Sequence, residues 1–286
     1  LLQDTHRWAP VLNLQRGYED TQTSPGKYTI RGGGRRTQRE RKAEFRDKLN
    51  TTEMEDLPEG HVSIIKTYNL GLVGSFDDIK GLRRTNITAD YNKKSSPVNA
   101  DHIPPKNTFQ KAHEMLQKPE NQALNQRIKT ENPNLYALID KNGNRGLCRE
   151  VLTEHHQQAL TTGNSKGSHR IRDKLTEVLL SGDTRKLMKM SMIAANPEMS
   201  ASLRRDAGID QQNKRADIMS RETTRRYHGI GDKLLLDKYC EMGVINQEAK
   251  DDLHQWRKAQ LYSRNSPEYH EMLQELKSSR KPQKQH

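Results

Sequence analysis

Apolar residues at helical spacing fix the architecture of the second half of this sequence. Ile171, Leu175, Val178 and Leu179 fall at i, i+4, i+7 and i+8, one face of a helix. Gly182 stops that helix, and Leu187, Met190 and Ile193 open another before Pro197. Upstream, Val151 to Leu160 contains neither glycine nor proline and predicts a helix with its stop at Gly163. Downstream, Leu234 to Tyr239 predicts a helix ahead of Gly243, and Asn246 can cap one carrying Leu253 and Trp256. Ser266-Pro267-Glu268 is a start signal with proline in the first turn, and Tyr269, Met272, Leu273 and Leu276 form the stripe that follows. The methionines read as core filler.

The first half reads differently. His61 to Tyr68 is β-branched and partly alternating, which predicts a strand, and Gly71 to Phe76 is a strand or a close-packed loop. Residues 107 to 132 predict a polar helical insertion broken near Pro119. Leu135 to Ile139 is the best strand in the middle of the chain, followed by turn chemistry at Asp140 to Asn144, with Asn142-Gly143 as a hairpin dipeptide. The expected class is α+β, mainly α-helical with a small β-hairpin element. Residues 1–60 are expected to be a basic, disordered arm, 61–197 the domain that carries the chemistry, and 198–286 a helical extension.

Composition decides what the arm and the surface are for. Only 31% of residues are hydrophobic and 30% are charged, so part of the length is expected to be tail rather than core. Gly32, Gly33 and Gly34 interrupt a run holding Arg31, Arg35, Arg36, Arg39, Arg41, Lys42, Arg46 and Lys48, which argues against a stable helix there until after Arg36. A formal charge of +12 attracts polyanions, with nucleic acid the foremost partner. No apolar run is long enough to span a bilayer, so no membrane role is expected. Cys148 and Cys240 form no disulfide framework, which points to a reducing compartment, cytoplasmic or nuclear, with a secreted effector as the alternative. The histidines lack the short HExxH spacing of a zinc hydrolase, and Gly229-Ile230-Gly231 lacks the strand–glycine–helix context of a phosphate loop.

The string Asp101-His102-Ile103-Pro104-Pro105 is the strongest chemical signal. Consecutive strand residues project to opposite sides. A carboxylate there can hold a divalent metal, and an imidazole can take a proton from water attacking phosphorus. The prolines stiffen the exit from the pair. A second half is offered by Glu154-His155-His156. Adjacent helical positions point about 100° apart, so one histidine is expected to face the site. His156 is favoured because Leu152 and Leu160, at i−4 and i+4, mark its stripe as inward. Asn164 and His169 could complete or brace such a site. Lys106, Lys166, Arg170 and Arg172 are candidate phosphate contacts.

These residues resemble the HNH, or His-Me finger, nucleases, and more closely the nuclease modules of polymorphic toxins and their eukaryotic relatives. In those a DHIPP-like string precedes a strand, a turn and a helix bearing a histidine pair, then a small-residue stretch and a basic helix. The matching parts here are Asp101 to Pro105, Leu135 to Asn144, Glu154 to His156, Gly163 to Gly167 and His169 to Leu180. The resemblance implies a ββα finger with His102 as general base and Asp101 and His156 as ligands of one divalent metal ion, Mg²⁺ first, with Mn²⁺ or Zn²⁺ as alternatives. His155, Asn142, Asn144, Asn164 and His169 are its candidate orienting residues. The function so implied is a metal-dependent endonuclease on DNA or RNA. A non-catalytic nucleic-acid- or protein-binding module, using the C-terminal helices as a partner surface, is the alternative reading. A third is an effector whose C-terminal helices inhibit it, so that removing residues after about 200 would activate it.

Overall fold

A computed structural model describes residues 57, 59–77, 79, 98–209 and 221–279. Residues 1–56 of the expected arm and residues 280–286 at the C-terminus lie outside the described residues. The chain folds as a mainly helical α+β protein with a small three-stranded antiparallel sheet. None of its described helices is long and apolar enough to cross a membrane.

The first described helix is α1 (Glu59–Tyr68), where a strand was expected. Only Ile65 of this segment is buried, so its β-branched residues are not lining a sheet. Glu59 in the first turn and Lys66 in the last suit the helix dipole. Strand β1 (Val73–Ser75) follows, within the segment read as strand or close-packed loop. Next come β2 (Val98–His102) and then α2 (Lys106–Leu116), a single 3₁₀ turn at Pro119–Asn121 and α3 (Gln122–Glu131), which together are the expected broken helical insertion.

Leu135 to Ile139 is also not a strand. It lies in α4 (Pro133–Leu138), where Pro133 pre-sets the first turn and the buried pair Leu135 and Leu138 is spaced by three, a helical interval. The Asn142-Gly143 turn therefore joins a helix to a strand instead of closing a hairpin. Gly143 has φ +63°, and a Cβ there would strike the Lys106 carbonyl, so the turn presses on the start of α2.

The strand after that turn is β3 (Leu147–Leu152), and it takes the first residues of the helix expected over 151–160. All six of its residues are buried, so it has no alternating pattern to read, and Arg149-Glu150 interrupts its apolar character. β3 is the centre of the sheet, in the order β1-β3-β2. Val73 and Asp101 both pair with Arg149, and Gly74 and His102 both pair with Cys148. The expected helix is reduced to α5 (Thr153–Gln158).

The remaining helices follow their sequence signals except for two: the one after Pro197 has no assigned counterpart, and the one expected over Leu234 to Tyr239 begins already at Arg221. They are α6 (Lys166–Ser181), α7 (Thr184–Ala195), α8 (Pro197–Asp206), α9 (Arg221–Glu241), α10 (Gln247–Gln260) and α11 (Pro267–Ser278). Ser165, Asp183, Asn196, Asn246 and Ser266 each cap a helix with the side chain. Gly182 ends α6 in the left-handed conformation, φ +83°. Residues 198–286, expected as an extension, share their core with the rest: one cluster runs from Val73 through Ile103, Leu147 and Leu179 to Leu235, Trp256 and Leu276.

At the far end of that core, Asp206 closes α8 onto α11. Its carboxylate accepts from Arg264 Nε at 2.9 Å, from Arg264 Nη2, and from the Tyr269 hydroxyl at 2.7 Å. The Arg264 hydrogen bonds, opposed by burial and helped by Tyr269, hold the carboxyl below its usual range. Asp206→Asn is expected to cost about 1–2 kcal/mol. Because the folded value is depressed, the wild-type advantage is complete above the ordinary carboxylate value of about 4 and shrinks as pH falls below it. Urea unfolding of both proteins across that range checks the sign. An advantage that grew toward acid would refute it.

Candidate active site

Asp101 and His102 are the last two residues of β2, so their side chains leave opposite faces of the sheet. Asp101 shares its face with Arg149, directly across on β3. His102 shares the other face with Cys148, and the Phe76 ring stacks on its imidazole with centroids 5.6 Å apart. Ile103, Pro104 and Pro105 are buried, and α2 begins at once with Lys106.

Helix α5 leaves the end of β3 without a break, which returns the chain to the level of Asp101. Asn99 Nδ2 on β2 donates to Thr153 Oγ1 in its first turn at 2.9 Å. This contact and the β2–β3 ladder bring together residues 55 apart in sequence: His156 Nδ1 lies 3.2 Å from Asp101 Oδ1. Asp101 is 4% exposed, while the His156 side chain keeps 29% of its surface open. The second carboxylate oxygen, Asp101 Oδ2, is buried with no protein partner.

The two histidines of α5 part as expected from their angular offset, but for a different reason from the one in the sequence. Leu152 and Leu160 lie outside the six-residue helix and do not define its inner stripe. His155 is the deeply buried one, 3% exposed, bonded through Nδ1 to the Tyr227 hydroxyl of α9. His156 is the one that meets Asp101.

His102 is half-buried, and its Nε2 is enclosed without a protein partner. Burial is the largest influence on it and, against the opposing pull of Asp101, lowers its pKa to about 4, with Lys106, His156 and Asp140 also within electrostatic reach. His102 is therefore a neutral imidazole at physiological pH.

The other expected site residues make no hydrogen bond to Asp101, His102 or His156. Asn142 and Asn144 are exposed on the turn that Asp140 organises by accepting from the Asn142, Gly143 and Arg145 N–H groups at 2.6, 2.9 and 3.3 Å. Asn164 is exposed in the loop before α6. His169 is exposed on α6, with Nδ1 3.1 Å from Arg172 Nη2. Arg172 is buried and donates to the carbonyls of Thr161 and Gly163 at 2.8 and 2.9 Å, so it brackets a loop. Arg170 donates to Ser278 Oγ of α11 at 3.0 Å. Lys166 is exposed at the start of α6, and Lys106 is the candidate cation closest to the chemistry.

Sequence reasoning passed over the groups that back the site. Arg149 and Asp232 form a fully buried ion pair between β3 and α9. Gly231 makes the approach possible, since a Cβ there would collide with the Arg149 side chain and crowd Gly71. The usable signal is a glycine inside an otherwise helical pattern, which marks close packing. Tyr227, Gly231, Leu235 and Tyr239 recur every four residues on one buried face of α9.

Among the described residues no group of three or more His, Cys, Asp and Glu side chains is arranged to hold a metal ion. Asp101 and His156 form a pair. Their 3.2 Å separation suits a hydrogen bond, and it also suits two neighbours in one octahedral shell, where ligand atoms at about 2.1 Å from the ion sit about 3 Å from each other. Comparison with known family models, with characterised proteins and with solved structures finds no match.

Proposed function

We propose that this chain is a divalent-metal-dependent endonuclease acting on DNA or RNA. The observation that carries the reading is the Asp101 Oδ1–His156 Nδ1 approach at 3.2 Å, beside a neutral His102 at the end of the same strand. The strand pair β2–β3 followed by α5 is the order expected of a ββα finger, with α2 to α4 inserted between the strands.

The donor set fits one hard divalent ion. Asp101 and His156 would hold it, and the enclosed, unpartnered Asp101 Oδ2 leaves the carboxylate with unused acceptor capacity. Two protein ligands, with water and phosphate oxygens completing the shell, is the usual manner of Mg²⁺. When bound, the ion supplies positive charge to the phosphate oxygens. The neutral His102 accepts a proton from the entering water at Nδ1, because Nε2 is enclosed. Lys106, at the start of α2, draws the phosphate toward the strand end. The net charge of +12 serves non-specific attraction of the polyanion.

The test is cleavage of plasmid, single-stranded DNA and RNA in Mg²⁺, Mn²⁺ or Zn²⁺. Cleavage is expected to stop with chelator and to fall about 10²–10⁴-fold in His102→Ala. Undiminished cleavage by that variant would remove His102 from its role. A binding module is the second reading, favoured by the pairing of only two ligating side chains at the centre among the described residues. It predicts steeply salt-dependent gel shifts with no cleavage in any of these metals.

A further inference from the structure

The Asp101–His156 pair depends on how α5 is turned about its own axis, and the group that sets this turn comes from α9. Helix α5 has six residues and no side-chain N-cap, so little within it fixes its rotation. Its ends are tied down: Thr153 by Asn99, and the carbonyls of Gln158 and Ala159 by Arg204 at 2.6 and 3.2 Å. These contacts hold the two ends, and the residues between them are held from another helix.

The rotation is set in the middle. The Tyr227 hydroxyl bonds His155 Nδ1 and also takes a backbone hydrogen bond from Leu152, the residue just before α5. With the Leu152 N–H donating to it, the hydroxyl gives its own proton to His155 Nδ1, so a neutral His155 carries its proton on Nε2. The rings of Tyr227 and His155 are parallel within 5°, with centroids 5.7 Å apart, and His228 packs against both. Tyr227 cannot drift, because α9 is held to β3 by Arg149–Asp232 and touches Gly71 so closely that a Cβ at Gly71 would lie 2.8 Å from the Tyr227 carbonyl. Successive helical residues differ by about 100°. A rotation that broke the His155 bond would therefore swing His156 off Asp101.

We propose that Tyr227 is the positioning residue of the candidate active site, holding His155 so that the next residue, His156, presents Nδ1 to Asp101. This rests on the reading of Asp101 and His156 as the reactive pair. In the metal-free protein it makes two adjacent histidines opposite tautomers: His155 with its proton on Nε2, and His156 with its proton on Nδ1, directed at Asp101, a proton that an ion shared by the pair would displace.

Long-range ¹H–¹⁵N correlation spectra of the full chain at about pH 8, where a free imidazole is neutral, read both tautomers directly. Wild type is expected to show the two opposite single tautomers. Tyr227→Phe is expected to leave His156 as a mixture and to lower cleavage about 10–100-fold at nearly unchanged KM, the mark of lost alignment. A merely structural role would lower the melting temperature and leave the His156 tautomer alone. Should Tyr227→Phe not fold, the partner residue decides: His155→Gln, which keeps an acceptor for the hydroxyl, is expected to hold His156 in one tautomer, and His155→Leu to release it. A folded Tyr227→Phe, or His155→Leu, with His156 still a single Nδ1–H tautomer overturns the proposal. Wild type that cleaves nothing in any divalent metal overturns the nuclease reading, and the tautomer measurement still decides the positioning role.

Discussion

Asp232→Ala is expected to destabilise the protein by about 3–5 kcal/mol, a large part of what holds a domain together. The Arg149 and Asp232 side chains are 0% and 1% exposed, so removing the carboxylate leaves a guanidinium inside the protein without its ion-pair partner. Arg149 Nη1 keeps a long contact of 3.4 Å to the His228 carbonyl, Nε and Nη2 lack protein partners, and Asp101, across the strand pair on the same face, makes no hydrogen bond to the guanidinium. Replacing both charges by apolar residues of similar volume, Arg149→Met with Asp232→Leu, is expected to recover most of the loss, because desolvation of both ions disappears together. Urea unfolding of the single and double variants measures this. A loss below about 1 kcal/mol for Asp232→Ala would mean that the pair is hydrated and its burial overstated.

The second large effect falls on activity. Asp101→Asn and His156→Gln are each expected to lower cleavage about 10²–10⁴-fold while the protein stays folded, since His156 is partly exposed and neither change alters volume much. The two roles open to Asp101 separate in this experiment. As a metal ligand, its amide variant demands far more metal for the same rate. As a mere brace for the His156 ring, the amide still accepts a hydrogen bond from Nδ1, and the loss stays within about tenfold at unchanged metal demand.

What the sequence made readable was set by where local chemistry prevails. Helices α6, α7, α10 and α11 announce themselves by capping side chains and by apolar stripes, and both signals are local. β3 was not readable, because a strand buried on both faces has no alternation, and its Arg149 is tolerated only by Asp232, a residue 83 positions later. Leu135 to Leu138 misled for the opposite reason: a short apolar run fits strand or helix, and Pro133 tips it to helix. In the candidate site, Asp101, His102 and His156 were legible as a group, and two of them lie within 3.2 Å. The expected braces Asn142, Asn144, Asn164 and His169 make no hydrogen bond to it. The real support, Tyr227 on α9, depends on long-range packing that spacing along the chain does not encode.

The same dependence speaks to inhibition by the C-terminal helices. Removing residues after about 200 takes away Tyr227 and Asp232 along with α9, so truncation is expected to destabilise the chain, and activity after truncation would favour inhibition.

The attachment of α9 to β3 also has a meaning for biosynthesis. Chains emerge from the ribosome from the N-terminus, and β2, β3 and α5 are made long before Arg221 to Glu241. Until that late helix arrives, Arg149 lacks its ion-pair partner and His155 its hydroxyl. A nascent chain, or a product of stalled translation, carries every residue of the Asp101–His156 pair without the means to align them. On the nuclease reading, competence would thus wait for α9, and copies broken off before it would lack the alignment of the pair.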